Sequence, residues 1–286
     1  MEMTAVIGGS GLYELDGFEL KEEKVVETPF GRPSAPIVLG ELEGRPLAFL
    51  PRHGRNHQFS PSTVPYRANI FALKTLGVTR IISVSAVGSM REEIEPGHVV
   101  LVDQFFDRTL NRDRTFFDDG IAAHVGFADP ICENLRQVLL GAVKACGVPH
   151  HDGGAYVCIE GPQFSTRAES NVFRGWDVAV IGMTNLPEAR LAREAEMAYA
   201  TIALATDYDC WKEDEADVAV EHVIAVLRKN VENARKIVRK AILDLPAKSE
   251  SSAHTALSHA IMTAPEAIGE ELRSRLAPLI GRALGE

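Results

Sequence analysis

The sequence predicts an α/β protein, a single domain on a mixed, largely parallel central sheet flanked by helices, with a C-terminal helical extension. Two observations carry this. Short apolar runs of strand length alternate with amphipathic segments through most of the chain, the pattern of strands joined by crossover helices. The 286 residues, 45% hydrophobic and 24% charged, suit one large domain of ordinary soluble composition. No internal repeat divides the chain, and strand-like segments interleave too closely with helical ones to mark a boundary. Residues 1–247 therefore read as one domain, and 248–286 as an extension packed on that domain or at an oligomer interface.

The strand candidates in order are Ala5-Val6-Ile7, Leu47-Ala48-Phe49-Leu50, Arg80 to Val84, Val99 to Val102, Ala155 to Ile159, Val178 to Ile181 and Tyr199 to Ala205. Helical patterning covers Tyr66 to Leu76, Ile131 to Cys146, Ala168 to Arg174, Pro187 to Met197 and about Asp217 to Leu245. Each of the first four leads toward a strand. Pro187 suits a first helical turn, where a missing N–H costs nothing, and Asn185 precedes it as a cap. On the same helix Arg190 and Glu194 stand four residues apart and read as a solvated pair, worth roughly a few tenths of a kcal/mol. From Lys248 to His254 the chain is polar and Ser-rich, and helical patterning returns at Leu257 to Met262 and Glu266 to Leu284 as a pair of helices.

A net charge of −10 argues against a general nucleic-acid partner, which needs a basic footprint to displace counterions. No window approaches the ~20 apolar residues of a membrane span. Met1-Glu2-Met3-Thr4 leads into strand-like sequence without a basic and apolar signal region, so a cytoplasmic location is expected. Cys132, Cys146, Cys158 and Cys210 have no paired spacing, and no His cluster stands at zinc-ligand intervals. They read as reduced, mostly buried thiols, and no metal site is expected.

Polar chemistry gathers where apolar runs stop. Ala205-Thr206-Asp207-Tyr208-Asp209-Cys210-Trp211 closes a strand with two carboxylates two residues apart, which on a strand share one face. Such a pair can accept from a ring nitrogen and an exocyclic amine of adenine, hold a metal, or end a strand in solvent. Ile7-Gly8-Gly9-Ser10-Gly11 offers glycines for close ligand approach and a hydroxyl donor, or a tight turn. Pro51-Arg52-His53-Gly54-Arg55-Asn56-His57 collects donors, and the Arg fork matches phosphate oxygens; a surface basic cluster is the other reading. Ser83-Val84-Ser85-Ala86-Val87-Gly88-Ser89 puts hydroxyls and glycine at the end of a third strand. Glu160 to Ser170 and Ile181 to Ala189 both follow apolar strands and open helices. Beside the Asp pair, five such segments in one domain point to a ligand site outside the strand ends.

In their order along the chain, these segments resemble the motifs of the 5′-methylthioadenosine phosphorylases, within the trimeric type of the purine nucleoside phosphorylase superfamily. The similarity runs from Ala5 to about Leu227. It implies a purine nucleoside phosphorylase-like fold, phosphorolysis of 5′-methylthioadenosine in methionine and purine salvage, phosphate as co-substrate with no metal or organic cofactor, and a homotrimer or dimer of trimers. Carried over position by position, Ser10, Arg52, His53, Ser85, Ala86 and Thr184 match phosphate-binding residues. Met183 matches the residue against the ribose, and Phe164 stands with the substrate-binding residues. Asp207 and Asp209 match the carboxylates facing N7 and the 6-amino group, with Tyr208 between them. Ser165 and Val220 match specificity positions, and His124 and Val223 match positions bordering the 5′-methylthio group. The tail departs from the pattern: it is long, and Glu250 to His254 lacks the Cys-x-Cys pair of some thermophilic relatives.

The implied chemistry is consistent with these residue types. Phosphate attacks C1′ as the C1′–N9 bond breaks, and the departing base needs a proton at N7. Asp207 is the candidate to share it, although an ordinary Asp, with a pKa of about 3.9, needs desolvation or an anionic neighbour to act near neutrality. Two acids accept from adenine and repel the carbonyl of a 6-oxopurine. The alternatives are a 6-oxopurine nucleoside phosphorylase, a noncatalytic purine or anion binder, and hydrolysis by water.

Overall fold

A computed structural model describes residues 1–212 and 220–285, without the side chains of Ser10, 220–225 and Leu227. Its centre is an eleven-stranded sheet: β1 (Met3–Gly8), β2 (Phe18–Lys24), β3 (Ile37–Leu42), β4 (Arg45–Pro51), β5 (Val78–Ser89), β6 (Val99–Leu101), β7 (Gln104–Arg108), β8 (His150–Asp152), β9 (Ala155–Ile159), β10 (Val180–Gly182) and β11 (Ala198–Asp207). Six of the ten strand pairings are parallel. The order is β2-β3-β4-β1-β5-β10-β9-β7, with β11 joining β5 to β6 and β6 to β8. Among the described residues six α-helices flank it: α1 (Tyr66–Thr75), α2 (Glu133–Ala145), α3 (Arg167–Gly175), α4 (Asn185–Glu194), α5 (Val220–Asp244) and α6 (Glu270–Leu284).

All seven sequence-predicted strands are present, and β2, β3, β7 and β8 are additional. The segment 83–89, expected as the end of a strand, lies inside β5. That strand continues because β11 pairs with it in parallel as far as Gly88 while β10 takes up Gly88 and Ser89 antiparallel. β5 is therefore the axis of the sheet, and the carboxyl ends of β1, β4 and β11 open on one edge of it. Glycine at 182 lets the layers close there: a Cβ would lie 2.0 Å from the Tyr156 hydroxyl.

Among its described residues the tail carries one α-helix, with two short 3-10 turns, where a pair of helices was expected. Leu257 to Met262 is extended or turned, because its backbone bonds to a neighbouring segment: His124 N–H donates to Ala260 O at 2.8 Å and Met262 N–H to Ala122 O at 2.8 Å. Leu257, Ala260, Ile268, Leu276, Leu279 and Ile280 join the main hydrophobic core. Glu196 anchors the tail, accepting from Leu257 N–H at 2.9 Å and from Arg282 of α6 at 2.8 Å.

Helix α4 departs from its expected surface character. Asn185 does not cap it; buried completely, its Nδ2 donates to Ser83 Oγ at 3.0 Å and Tyr199 Oη at 2.5 Å. Arg190 pairs with Asp107 at 3.2 Å. Glu194 is buried and accepts from Thr115 Oγ1 at 2.7 Å and Phe116 N–H at 2.8 Å, since that segment covers the face read as solvated. Burial pushes its carboxyl up to about 7, against the pull of those two donors. A raised folded-state pKa stabilises fully at low pH and is lost as pH rises through the folded value. Across about pH 4.5 to 7, Glu194→Gln is therefore expected to lose less melting temperature than the parent protein. His53, whose pKa is lowered, tilts both proteins the other way, so the difference between their melting curves isolates Glu194.

Candidate active site

Two chambers adjoin at the carboxyl edge of the sheet. The first, about 320 Å³, is lined by Gly8 at the end of β1 with Gly9 and Gly11 just after it, Arg52 and His53 beyond β4, Ser85 and Ala86 of β5, and Thr184 at the start of α4. The second, about 290 Å³, is lined by Val87, Gly88, Phe164, Met183, Thr206, Asp207 and Asp209, among others. His53, His57, Ala86 and Thr184 line both. Of the residues expected to meet phosphate, Arg52, His53, Ser85, Ala86 and Thr184 line the first chamber, and the Asp pair lines the other.

Arg52 is 3% exposed and carries a partner that the sequence did not disclose. Its Nε and Nη2 donate to Glu188 Oε2 and Oε1 at 2.7 and 3.0 Å, Nη2 also to Ser83 Oγ at 2.7 Å, and Nη1 to Val84 O at 3.0 Å. Burial alone disfavours the cation, but the Glu188 carboxylate overcomes that and holds the guanidinium above its ordinary pKa. Positive charge is thereby fixed at the chamber wall, with most donors spent inside the protein. Glu188 escapes sequence reading because an acid in a first helical turn is ordinary.

His53 Nδ1 lies 2.8 Å from Phe59 O, a carbonyl that only accepts, so Nδ1 carries the hydrogen. Burial, then the Arg52 charge, push its pKa down to about 4, leaving a neutral ring near pH 7. Ser85 Oγ lies 3.0 Å from Thr184 Oγ1 and 3.3 Å from Tyr156 Oη, and Thr184 N–H points at the same phenol at 3.4 Å. Burial pushes the Tyr156 phenol up to about 12. It stays protonated and ties the Ser85 hydroxyl to the Thr184 backbone.

The Asp pair is held by a turn. β11 ends at Asp207, Asp209 has φ 53°, and its N–H donates to Asp207 Oδ1 at 2.8 Å. Spacing on a strand is therefore not what brings the carboxylates together; a side chain bonding its own backbone two residues on does. Thr206 Oγ1 lies 2.6 Å from Asp207 Oδ2, and Ser170 Oγ donates to Asp209 Oδ2 at 2.5 Å. Ser170 is fully buried on α3, whose start is fixed by a Thr166–Glu169 capping box. Gly88 leaves the pair room, since a Cβ there would be 3.1 Å from Asp207 Oδ1.

Other expected residues fall elsewhere. Tyr208 lines neither chamber: it packs with Trp211, Phe173 and Ile181 in a second small core, its hydroxyl on Glu92 O at 3.1 Å. Ser165 also stands outside the chamber linings, with a buried Oγ that has no partner among the described residues. His124 is exposed and lines neither chamber. The side chains of Ser10, Val220 and Val223 lie outside the described residues. Among those described, no group of three His, Cys, Asp or Glu could hold a metal ion, and no helix is long and apolar enough to cross a membrane. The four cysteines are free, Cys132 and Cys158 buried and the other two half-buried.

Residues 4–243 match the model of the Phosphorylase superfamily. The chain is 54% identical over 281 residues to an S-methyl-5′-thioadenosine phosphorylase of Geobacter sulfurreducens, covering 98% of each chain. Among solved structures it resembles a methylthioadenosine phosphorylase from an antarctic soil metagenomic library, with TM-score 0.93 and 50% identity over 96% of this chain and 98% of that one. It also resembles methylthioadenosine phosphorylase from Schistosoma mansoni in complex with adenine, with TM-score 0.83 and 37% identity over 87% and 93%. On the match across most of its length, the chain belongs to the phosphorylase superfamily.

Proposed function

We propose that the chain is an S-methyl-5′-thioadenosine phosphorylase, converting 5′-methylthioadenosine and phosphate to adenine and 5-methylthioribose 1-phosphate in methionine and purine salvage, with adenosine as a second substrate. The observation that carries this reading is the pair of adjoining chambers, one walled by Arg52, His53, Ser85, Ala86 and Thr184 and the other closed by Asp207 and Asp209. The names of the relatives support it.

In this reading phosphate sits in the first chamber beside the Arg52 charge, bonded by the Ser85 and Thr184 hydroxyls, with Ser10 completing the set. Ribose lies against Met183 where the chambers meet. A phosphate oxygen forms its bond to C1′, the C1′–N9 pair leaves with the base, and Asp207 supplies the proton to N7. Asp209, held by Ser170, accepts from the 6-amino group. A 6-oxopurine would set its carbonyl against that acceptor, so adenine is favoured. Phe164 covers the base, Ser165 and Val220 tune specificity, and Val223 with His124 borders the methylthio group. His124, exposed on its own chain, serves a neighbouring subunit's site in a homotrimer or dimer of trimers. Residues 1–247 form the phosphorylase unit and 248–286 its extension. The enzyme works in the cytoplasm without metal, organic cofactor, nucleic acid or membrane partner.

The test is free base released from 5′-methylthioadenosine, adenosine and inosine, each with and without phosphate. Phosphate-dependent adenine, fastest from the methylthio substrate, is expected. Hypoxanthine alone would make this a 6-oxopurine enzyme, and base released equally without phosphate would make it a hydrolase.

A further inference from the structure

The proposed reaction moves one proton off Asp207, and the hydroxyl beside that carboxylate is placed to follow the change. Thr206, 4% exposed, lies where the pairing of β11 with β5 shifts register, between Ala205 and Asp207. Its single hydroxyl faces two oxygens, Asp207 Oδ2 at 2.6 Å and Val87 O at 3.1 Å. A threonine hydroxyl has one hydrogen to give and lone pairs to receive, whereas a backbone carbonyl only receives. Beside ionised Asp207, Thr206 donates to Oδ2. Beside protonated Asp207, it accepts from Oδ2–H and turns its own hydrogen to Val87 O. The other carboxylate oxygen accepts Asp209 N–H at 2.8 Å, while Oδ2 faces a hydroxyl that can donate or accept, so the exchangeable proton is assigned to Oδ2.

We propose that Thr206 is a two-way positioning residue, keeping Asp207 hydrogen-bonded in both protonation states so that passing the proton to N7 orphans no buried polar atom. The inference rests on the phosphorylase reading above. As the nucleoside binds, Oδ2–H turns from Thr206 Oγ1 to N7; as the C1′–N9 bond lengthens, the Oδ2–H bond breaks and the N7–H bond forms. Asp207 becomes a carboxylate, and the Thr206 hydrogen pivots from Val87 O to Oδ2 without leaving its oxygen. Thr206 gains and loses nothing. An alanine or valine at 206 could do neither half of this, and the carboxylate formed at the end of the step would lack one of its donors.

Thr206→Val keeps the shape and removes the hydroxyl, and Thr206→Ser keeps the hydroxyl. With saturating phosphate, kcat for 5′-methylthioadenosine in Thr206→Val is expected to fall about 10- to 100-fold, the range set by one buried polar group left unpaired. KM for the nucleoside should stay within about twofold, because the loss falls on the transition state. Thr206→Ser should remain within about threefold of the parent in kcat, since it retains the two-way hydroxyl. If melting shows Thr206→Val unfolded, Thr206→Ala, which adds no bulk, takes its place in the same assay. A parent-like kcat in the valine or alanine variant overturns the inference. So does a loss confined to KM, or an equal loss in Thr206→Ser. Absence of phosphate-dependent adenine release in the parent protein would instead overturn the phosphorylase reading and this inference with it, so the two failures are distinguishable.

Discussion

Asp207→Asn is expected to lower kcat/KM for 5′-methylthioadenosine by about 10²- to 10⁴-fold, the range for loss of a positioned proton donor, with little change in melting temperature. The site tolerates the amide because the hydrogen bonds to Asp209 N–H and Thr206 Oγ1 survive. The amide oxygen can take Asp209 N–H, now 2.8 Å from Oδ1. The amide nitrogen can donate to Thr206 Oγ1, now 2.6 Å from Oδ2, whose hydrogen then turns to Val87 O at 3.1 Å. What the amide cannot do is give up a proton to N7, so the loss falls on chemistry. Steady-state kinetics beside a thermal melt separate the two. A large fall in melting temperature with kcat intact would show Asp207 to be structural.

Glu188→Ala carries the second large effect, on stability and phosphate together. It strands the Arg52 cation, 3% exposed, without the carboxylate that it meets at 2.7 and 3.0 Å. Breaking a buried pair from one side costs about 3–5 kcal/mol, because the remaining charge is neither solvated nor paired. In a domain of this size that lowers the melting temperature by about 10 °C. The same substitution lets the guanidinium move off the chamber wall, so KM for phosphate is expected to rise more than KM for the nucleoside. Replacing both residues, as Arg52→Met with Glu188→Leu, is expected to return much of the stability while phosphate binding stays weak, since an apolar pair avoids the desolvation penalty. Equal recovery of both properties would show that Arg52 serves packing alone.

The residues expected to meet substrate were legible because they are polar exceptions at the ends of apolar runs: Arg52 and His53 after Leu47 to Leu50, Thr184 after Val178 to Ile181, and Asp207 after Tyr199 to Ala205. Those that hold them were not. Glu188 lies 136 residues from Arg52 and Tyr156 lies 71 from Ser85, and each sits inside a segment that looks like ordinary helix or strand. Only the sheet order brings them together. Among the strands, those with continuous aliphatic runs could be read, while β2, FELKEEK, is almost wholly exposed at a sheet edge. Its charges protect that edge from pairing with another chain and hide the alternation that marks a strand. β8 has three residues, two of them His, too few for any period. The spacing at Leu257, Ala260 and Ile261 mimics a helical face, but hydrogen bonds to Ala122 and His124 draw that backbone into an isolated bridge between Ala123 and Ile261.

The most direct test of the account is the fate of the phosphorus. With 5′-methylthioadenosine and inorganic phosphate, phosphorus NMR should show phosphate consumed as adenine appears, one for one, with a new sugar 1-phosphate signal coupled to the anomeric proton. That result identifies phosphate as the nucleophile, as the reading of the chamber walled by Arg52, His53, Ser85 and Thr184 requires. Adenine accumulating while the phosphate signal stays constant would assign the attack to water and contradict the reading of that chamber.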